Sequence, residues 1–93
     1  MSLTMPANDT IYDRLPEQFR GGMRRYIEDR IQPGSTLRAI LAHDLFDAVA
    51  LADAGAIAEL PRIVRWIYQE APHGSHGSYA VVDAWLSAGR EPR

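Results

Sequence analysis

Apolar residues recur at helical spacing along most of this chain, and proline, glycine and capping residues divide the pattern into short segments. None of these segments shows the sustained alternation of apolar and polar residues that marks a half-buried strand. The pattern therefore predicts an all-α fold, a compact bundle of four to five short helices. We expect a disordered lead-in over residues 1–12, a single helical domain over 13–89 and a frayed C-terminus over 90–93.

The first predicted helix runs from Leu15 to Ile31 and ends before Pro33, because proline disfavours helical geometry at the residue that precedes it. Its apolar side chains fall on one face at helical spacing, and they are Leu15, Phe19, Met23, Tyr26 and Ile27. Ser35 is a suitable N-cap for a second helix over about 36–43.

A third helix is predicted from Leu45 to about Ala52, with Asp44 as its N-cap. Its large apolar residues, Leu45, Phe46 and Val49, are expected to face inward. The same pattern allows one alternative, a single bent helix that joins the second and third segments.

The fourth helix, over about 56–71, has the most regular apolar pattern of the chain. The residues expected on its buried face are Leu60, Ile63, Val64, Ile67, Tyr68 and Ala71. Arg62 and Arg65 lie on the opposite face, and Trp66 lies on the flank. Pro61 must lie in the first turns or kink the helix. A last helix over about 79–88 is predicted to begin after Ser78 and to stop at Gly89.

Charge is segregated along the chain, although the formal net charge is only −2. All ten basic residues are arginines, and residues 13–38 carry six of them with four acids, whereas residues 39–59 carry four acids and no basic residue. A domain that holds nucleic acid through its phosphates is usually strongly basic, so the net charge disfavours that role. The two blocks either complement each other within the fold or form one basic and one acidic face.

Composition also limits the chemistry and the location of the protein. The chain has no cysteine, which excludes disulfides, thiolate metal ligands and a cysteine nucleophile. No apolar run approaches the ~20 residues that span a membrane, and the N-terminus lacks the basic and apolar regions of a signal peptide. We therefore expect a cytoplasmic protein with no membrane partner.

The histidines are the first candidates for chemistry, since His73 and His76 stand three residues apart in a loop. A zinc site needs three or four ligands, and the sequence spacing places neither His43 nor a carboxylate beside this pair. Serines and aspartates fall where helix caps belong, and no nucleophile elbow or phosphate-binding loop is present. We predict no catalytic residue, no metal ligand and no cofactor, and thus no enzyme.

Binding is the remaining class of function. The side chains predicted to contact a protein partner are Arg20, Arg24, Arg62, Arg65 and Trp66. The acids from Asp44 to Glu59 could offer a second surface, to a basic partner. Trp66 could equally complete a small core. The alternatives are a nucleic-acid-associated regulator, which would contact phosphates through the first helix, and a self-associating protein, such as a homodimer.

Four stretches of the chain carry a family resemblance, and together they span about residues 15–88. They are RYIEDRIQPGSTLRAILAHDL (25–45), AVALAD (48–53), LPRIVRWIY (60–68) and the pattern GSxxxVxxW (77–85). The chain thus resembles a group of small helical proteins encoded by phages and prophages of proteobacteria, for which no activity is settled. The resemblance implies a mobile-element accessory protein that binds a host protein, inhibits it or counters a host defence.

Overall fold

The computed structural model describes residues 11–89, and this part of the chain is an all-α bundle. The elements are a 3-10 helix (Ile11–Arg14) followed by five α-helices: α1 (Glu17–Asp29), α2 (Ser35–Leu41), α3 (Leu45–Leu51), α4 (Ala54–Glu70) and α5 (Tyr79–Ala88). The all-α prediction is confirmed, and the second and third segments are separate helices. The predictions for residues 1–10 and 90–93 lie outside the described residues.

Three of the helices begin with a side chain that accepts a hydrogen bond from the backbone of the first turn. Asp44 caps α3, Asp53 caps α4 and Ser78 caps α5. The start of α2 differs from the prediction, since Gly34 is its N-cap and no side-chain cap is formed. Ser35 is instead the first residue of the helix, so the predicted start was late by one residue.

The turn between α2 and α3 forms the backbone hydrogen bonds that end a helix, although it contains no glycine. His43 takes the left-handed conformation with φ 62°. The His43 N–H then donates to the Ile40 carbonyl, and the Asp44 N–H donates to the Ala39 carbonyl. This pair of bonds ends α2 and lets α3 fold back upon it, which is why the two segments do not form one bent helix.

One continuous core runs through the bundle. Its fully buried residues come from α1, α2, α4 and α5 and from the segment that joins the 3-10 helix to α1. They include Leu15, Met23, Tyr26, Leu41, Ile63 and Val82. By contrast, α3 buries one small residue, Ala48. The three large residues of α3 that were predicted to face inward are exposed: Leu45 by 62%, Phe46 by 85% and Val49 by 43%.

The core face of α4 is also rotated from the predicted one. Ile63, Trp66 and Ile67 are buried, whereas Val64 and Tyr68 are 50% and 85% exposed. The rotation follows from the 3-10 helix, whose first two residues the sequence pattern had placed in a disordered lead-in. Its Tyr12 is buried and packs on the Trp66 ring, so the core extends to this side of α4. Pro61 is accommodated inside the helix, with its ring exposed.

The loop between α4 and α5 is tied to the bundle by two hydrogen bonds and braced by a third within the loop. The Gly77 N–H donates to the Leu41 carbonyl at the end of α2. The Tyr26 hydroxyl of α1 donates to the Ser75 carbonyl over 2.7 Å, and the Ser75 hydroxyl donates to the Pro72 carbonyl. These bonds hold a loop rich in glycine in a defined position.

Arg30 ends α1 with a left-handed backbone, φ 58°, that costs a non-glycine residue stability. Its side chain offsets that cost, because the guanidinium stacks 3.5 Å above the Trp85 ring and donates to the Trp85 carbonyl. We expect Arg30→Ala to lower the free energy of unfolding by about 1–3 kcal/mol through the lost stacking and hydrogen bond.

Arg30→Gly is the matched variant, since it loses the same side chain and relieves the left-handed backbone. It should be more stable than Arg30→Ala by about 1 kcal/mol in urea unfolding. Equal stability of the two variants would show that the backbone at residue 30 carries no cost.

Candidate interaction surfaces

An apolar groove lies at the surface between α3 and α4. Leu45, Ala48, Leu60 and Val64 line its first part, which has a volume of about 230 Å³. A second depression of about 130 Å³ continues it towards Tyr68 and shares the lining residues Ile40, His43 and Val64. Both helices carry further exposed large apolar residues, namely Phe46, Val49 and Ile57. Exposed apolar surface in a groove is typical of sites where another molecule binds.

One edge of the groove is negatively charged. The Asp44 carboxylate lines it, accepts from the Asp47 N–H over 3.1 Å and accepts from the Tyr79 hydroxyl over 2.8 Å. These two bonds lower the pKa of Asp44 below its ordinary value, and the backbone bond contributes most. Asp47 is exposed beside it. The groove therefore keeps its negative edge under all near-neutral conditions.

Two histidines, His43 and His76, lie together at the second depression of the groove, the one that Tyr68 also lines. The His43 Nε2 and the His76 Nδ1 lie 2.9 Å apart, within hydrogen-bond distance. Two protonated rings cannot keep this bond, because two N–H groups would then face each other. Burial lowers the pKa of His76, and the charges of His43 and His73 lower it further.

The lowered pKa of His76 predicts that acid weakens the folded state. As the pH falls below about 6.5, His76 is protonated in the unfolded chain before it is protonated in the folded one. The contribution of His76 to the free energy of unfolding is therefore complete above that pH and declines below it. Thermal melts between pH 7.5 and 5 should show a smaller decline for His76→Asn than for the wild type. His73→Asn is the loop control, and it removes only the smallest of the three causes that lower the pKa of His76, so its decline should lie much closer to that of the wild type than the decline of His76→Asn does.

The two arginines predicted to bind a partner from α1 are engaged within the protein. The Arg20 guanidinium donates to the Leu15 and Asp13 carbonyls, over 2.8 and 3.0 Å. Arg24 pairs with Glu28 at 3.5 Å and lies over the Tyr12 ring. A phosphate-binding role for this helix face would require Arg20 to give up its two hydrogen bonds, whereas Arg24 keeps an exposed side chain.

The other three predicted contact residues come together at a shallow cleft of about 660 Å³ beside the 3-10 helix. Arg65 is exposed there, and Arg62 donates to the Arg14 carbonyl over 2.7 Å. Trp66 contributes the floor, because it is 3% exposed and its indole N–H donates to the Ile11 carbonyl. The structure therefore gives Trp66 a place in the core, the alternative that the sequence had left open.

The histidine loop does not assemble a multidentate metal site. His76 lies against His43, and within residues 11–89 no group of three or more histidine, aspartate or glutamate side chains is arranged to hold a metal ion. No helix in this part of the chain is both long and apolar enough to span a membrane.

The groove residues Leu45, Val64 and Tyr68 were missed as surface residues because the sequence pattern placed them in the core. One signal pointed to them: α4 carries apolar residues on more of its circumference than a single core contact requires. Such a wide apolar arc indicates a second contact surface.

Comparisons with known proteins add no family to this description. No protein-family model matches the chain, and neither the curated proteins nor the solved structures contain a significant match. The resemblance to phage and prophage proteins thus remains a prediction from the sequence.

Proposed function

We propose that this protein is a non-enzymatic accessory protein of phage or prophage type that acts in the cytoplasm by binding a host protein. The observation that supports binding is the apolar groove between α3 and α4, with Leu45 62% and Val64 50% exposed at its rim. Leaving such side chains in water forgoes roughly 25 cal/mol for each Å² of apolar surface. A partner that covers them recovers this free energy.

The absence of enzymatic activity in this proposal is supported by the roles that the polar side chains already fill. Asp44, Asp53 and Ser78 are helix caps, and the Ser75 hydroxyl is bonded to a carbonyl within its own loop. The contact surface that the sequence predicted is reduced to those of its residues that are exposed. Of the five residues named there, Arg24, Arg62 and Arg65 remain exposed, Arg24 on α1 and the other two at the cleft on the other side of α4.

The test is capture from a nuclease-treated host lysate with the tagged protein as bait. We expect one host protein in stoichiometric amount, retained in 500 mM salt because apolar contacts supply most of the affinity. Material that disappears on nuclease treatment would instead support the nucleic-acid alternative, in which binding falls steeply with salt. Light scattering of the purified protein at micromolar concentration tests the self-association alternative.

A further inference from the structure

The groove between α3 and α4 has an apolar wall whose residues follow the spacing of one helix face. Apolar residues recur every three or four positions along this side of α4: Leu60, Val64 and Tyr68 line the groove, and the exposed Ile57 continues the stripe beyond it. This stripe lies beside the buried one and rises roughly 16 Å from end to end, which is about three helical turns. Helices that bind in grooves present apolar residues at the same spacing.

The opposite wall is formed by α3. Leu45 and the small, buried Ala48 line this wall, and the exposed Val49 follows Leu45 by one helical turn, next to the lining. Two rows of large side chains with a small residue between them leave room for the side chains of a third helix.

The charge of the residues around the groove indicates which kind of helix would bind there. Residues 39–61 contain four acids and no arginine or lysine. One of these acids, Asp44, lines the groove, and the exposed Asp47 follows it in the first turn of α3. A partner helix that carries lysine or arginine next to its apolar face would place opposite charge at this edge. An acidic helix would meet like charge there.

A second copy of the chain fits the groove less well. A twofold contact in which α3 packs against its own copy would bring the Asp44 edge of one protomer against the same edge of the other. Arg38 lies over the Tyr79 ring near this edge but is paired with Asp83 at 2.8 Å, and Arg62 lies on the other side of α4, at the Arg14 carbonyl.

We propose that the groove binds an amphipathic α-helix of a partner protein, with apolar side chains against Leu45, Val64 and Tyr68 and a basic residue beside Asp44 and Asp47. This inference rests on the proposed function, because it specifies the kind of partner.

The direct test uses three fluorescein-labelled synthetic peptides and the full-length protein. The first is a helical peptide with leucine at positions i, i+3, i+4 and i+7 and lysine on its flanks. The second replaces every lysine by glutamate, and the third keeps the composition of the first in scrambled order. By fluorescence anisotropy, we expect the first peptide to bind with a micromolar dissociation constant and the other two at least about tenfold more weakly.

Variants then locate the site. Leu45→Arg and Val64→Arg place a cation in the groove and should weaken binding of the cationic peptide more than about tenfold. Ile31→Arg is the matched control, since Ile31 is 48% exposed and lies outside the groove. Asp47→Asn should weaken binding about threefold to fivefold and flatten its dependence on salt. Circular dichroism confirms that each variant keeps the fold.

Three results would overturn the inference: equal binding of the glutamate peptide, undiminished binding by Leu45→Arg, or a wild-type dimer that Leu45→Arg dissociates. Repeating the lysate capture with Leu45→Arg separates this failure from that of the proposed function. A host protein captured equally by both would refute the groove as its site and leave the function standing. Peptide binding by a wild type that captures no host protein would refute the function instead.

Discussion

Ile63→Ala is expected to lower the free energy of unfolding by about 2–5 kcal/mol, since it removes a fully buried side chain from the centre of the core. The range reflects how far Met23, Leu41 and their neighbours can close the cavity. For a domain of this size, such a loss lowers the melting temperature by roughly 10–30 °C. Thermal and urea unfolding followed by circular dichroism measure the change.

Val64→Ala is the matched control on the same helix. Val64 is the next residue along α4, carries a side chain of similar size and is 50% exposed. Its truncation should change stability by no more than about 0.5 kcal/mol. Equal losses for Ile63→Ala and Val64→Ala would contradict the rotated core face of α4. The same comparison also tests the groove, because a Val64 that can be truncated without cost is free to serve a partner.

Tyr26→Phe is the second large effect that we expect, at about 1–3 kcal/mol of lost stability. Tyr26 is fully buried, and its hydroxyl donates to the Ser75 carbonyl over 2.7 Å. Phenylalanine fills the same space but leaves that carbonyl without this donor, so the cost is that of a buried unsatisfied group. Hydrogen exchange should also become faster at Gly77, whose N–H bond to the Leu41 carbonyl holds the same loop.

The same hydroxyl predicts a loss of stability at alkaline pH. Burial raises the pKa of Tyr26 from 10.0 to about 12, an effect that the nearby Arg30 partly opposes. Because the folded value is the higher one, the stabilisation is full below pH 10 and is lost as the pH rises towards 12. Urea unfolding at pH 9 and pH 11 should show this loss in the wild type and a smaller one in Tyr26→Phe. Tyr68→Phe, at a site 85% exposed, should lose as much stability as the wild type.

The packing of the helices determines where on the surface a partner is expected to bind. The bundle brings the apolar residues of α3 and α4 to opposite walls of one groove, and a pair of histidines lies at its end. Of the α1 arginines that the sequence favoured for binding, Arg20 holds the start of the helix to the preceding turn, whereas Arg24 is exposed and pairs with Glu28 on the same helix. A partner is thus expected at the groove, while the cleft lined by Arg62 and Arg65 is a separate surface.

Local physical chemistry determined much of this protein from the sequence alone. The helical spacing of apolar residues determined the fold class, and the capping side chains of Asp44 and Ser78 determined where two helices begin. Gly89 marked the end of the last helix. These features depend on residues within one or two turns of each other, so they can be read without knowledge of the tertiary fold.

Only the tertiary structure decided which apolar face each helix buries. Along α4 the residues Ile63, Val64 and Trp66 are all apolar, and the choice among them depended on the 3-10 helix packing against Trp66 from 55 residues away in sequence. Likewise, a two-turn helix such as α3 could bury Ala48 or Leu45, and its packing on α2 buries the smaller residue. Burial depends on contacts between distant segments, and so the groove came from the packing of the helices and not from any one of them.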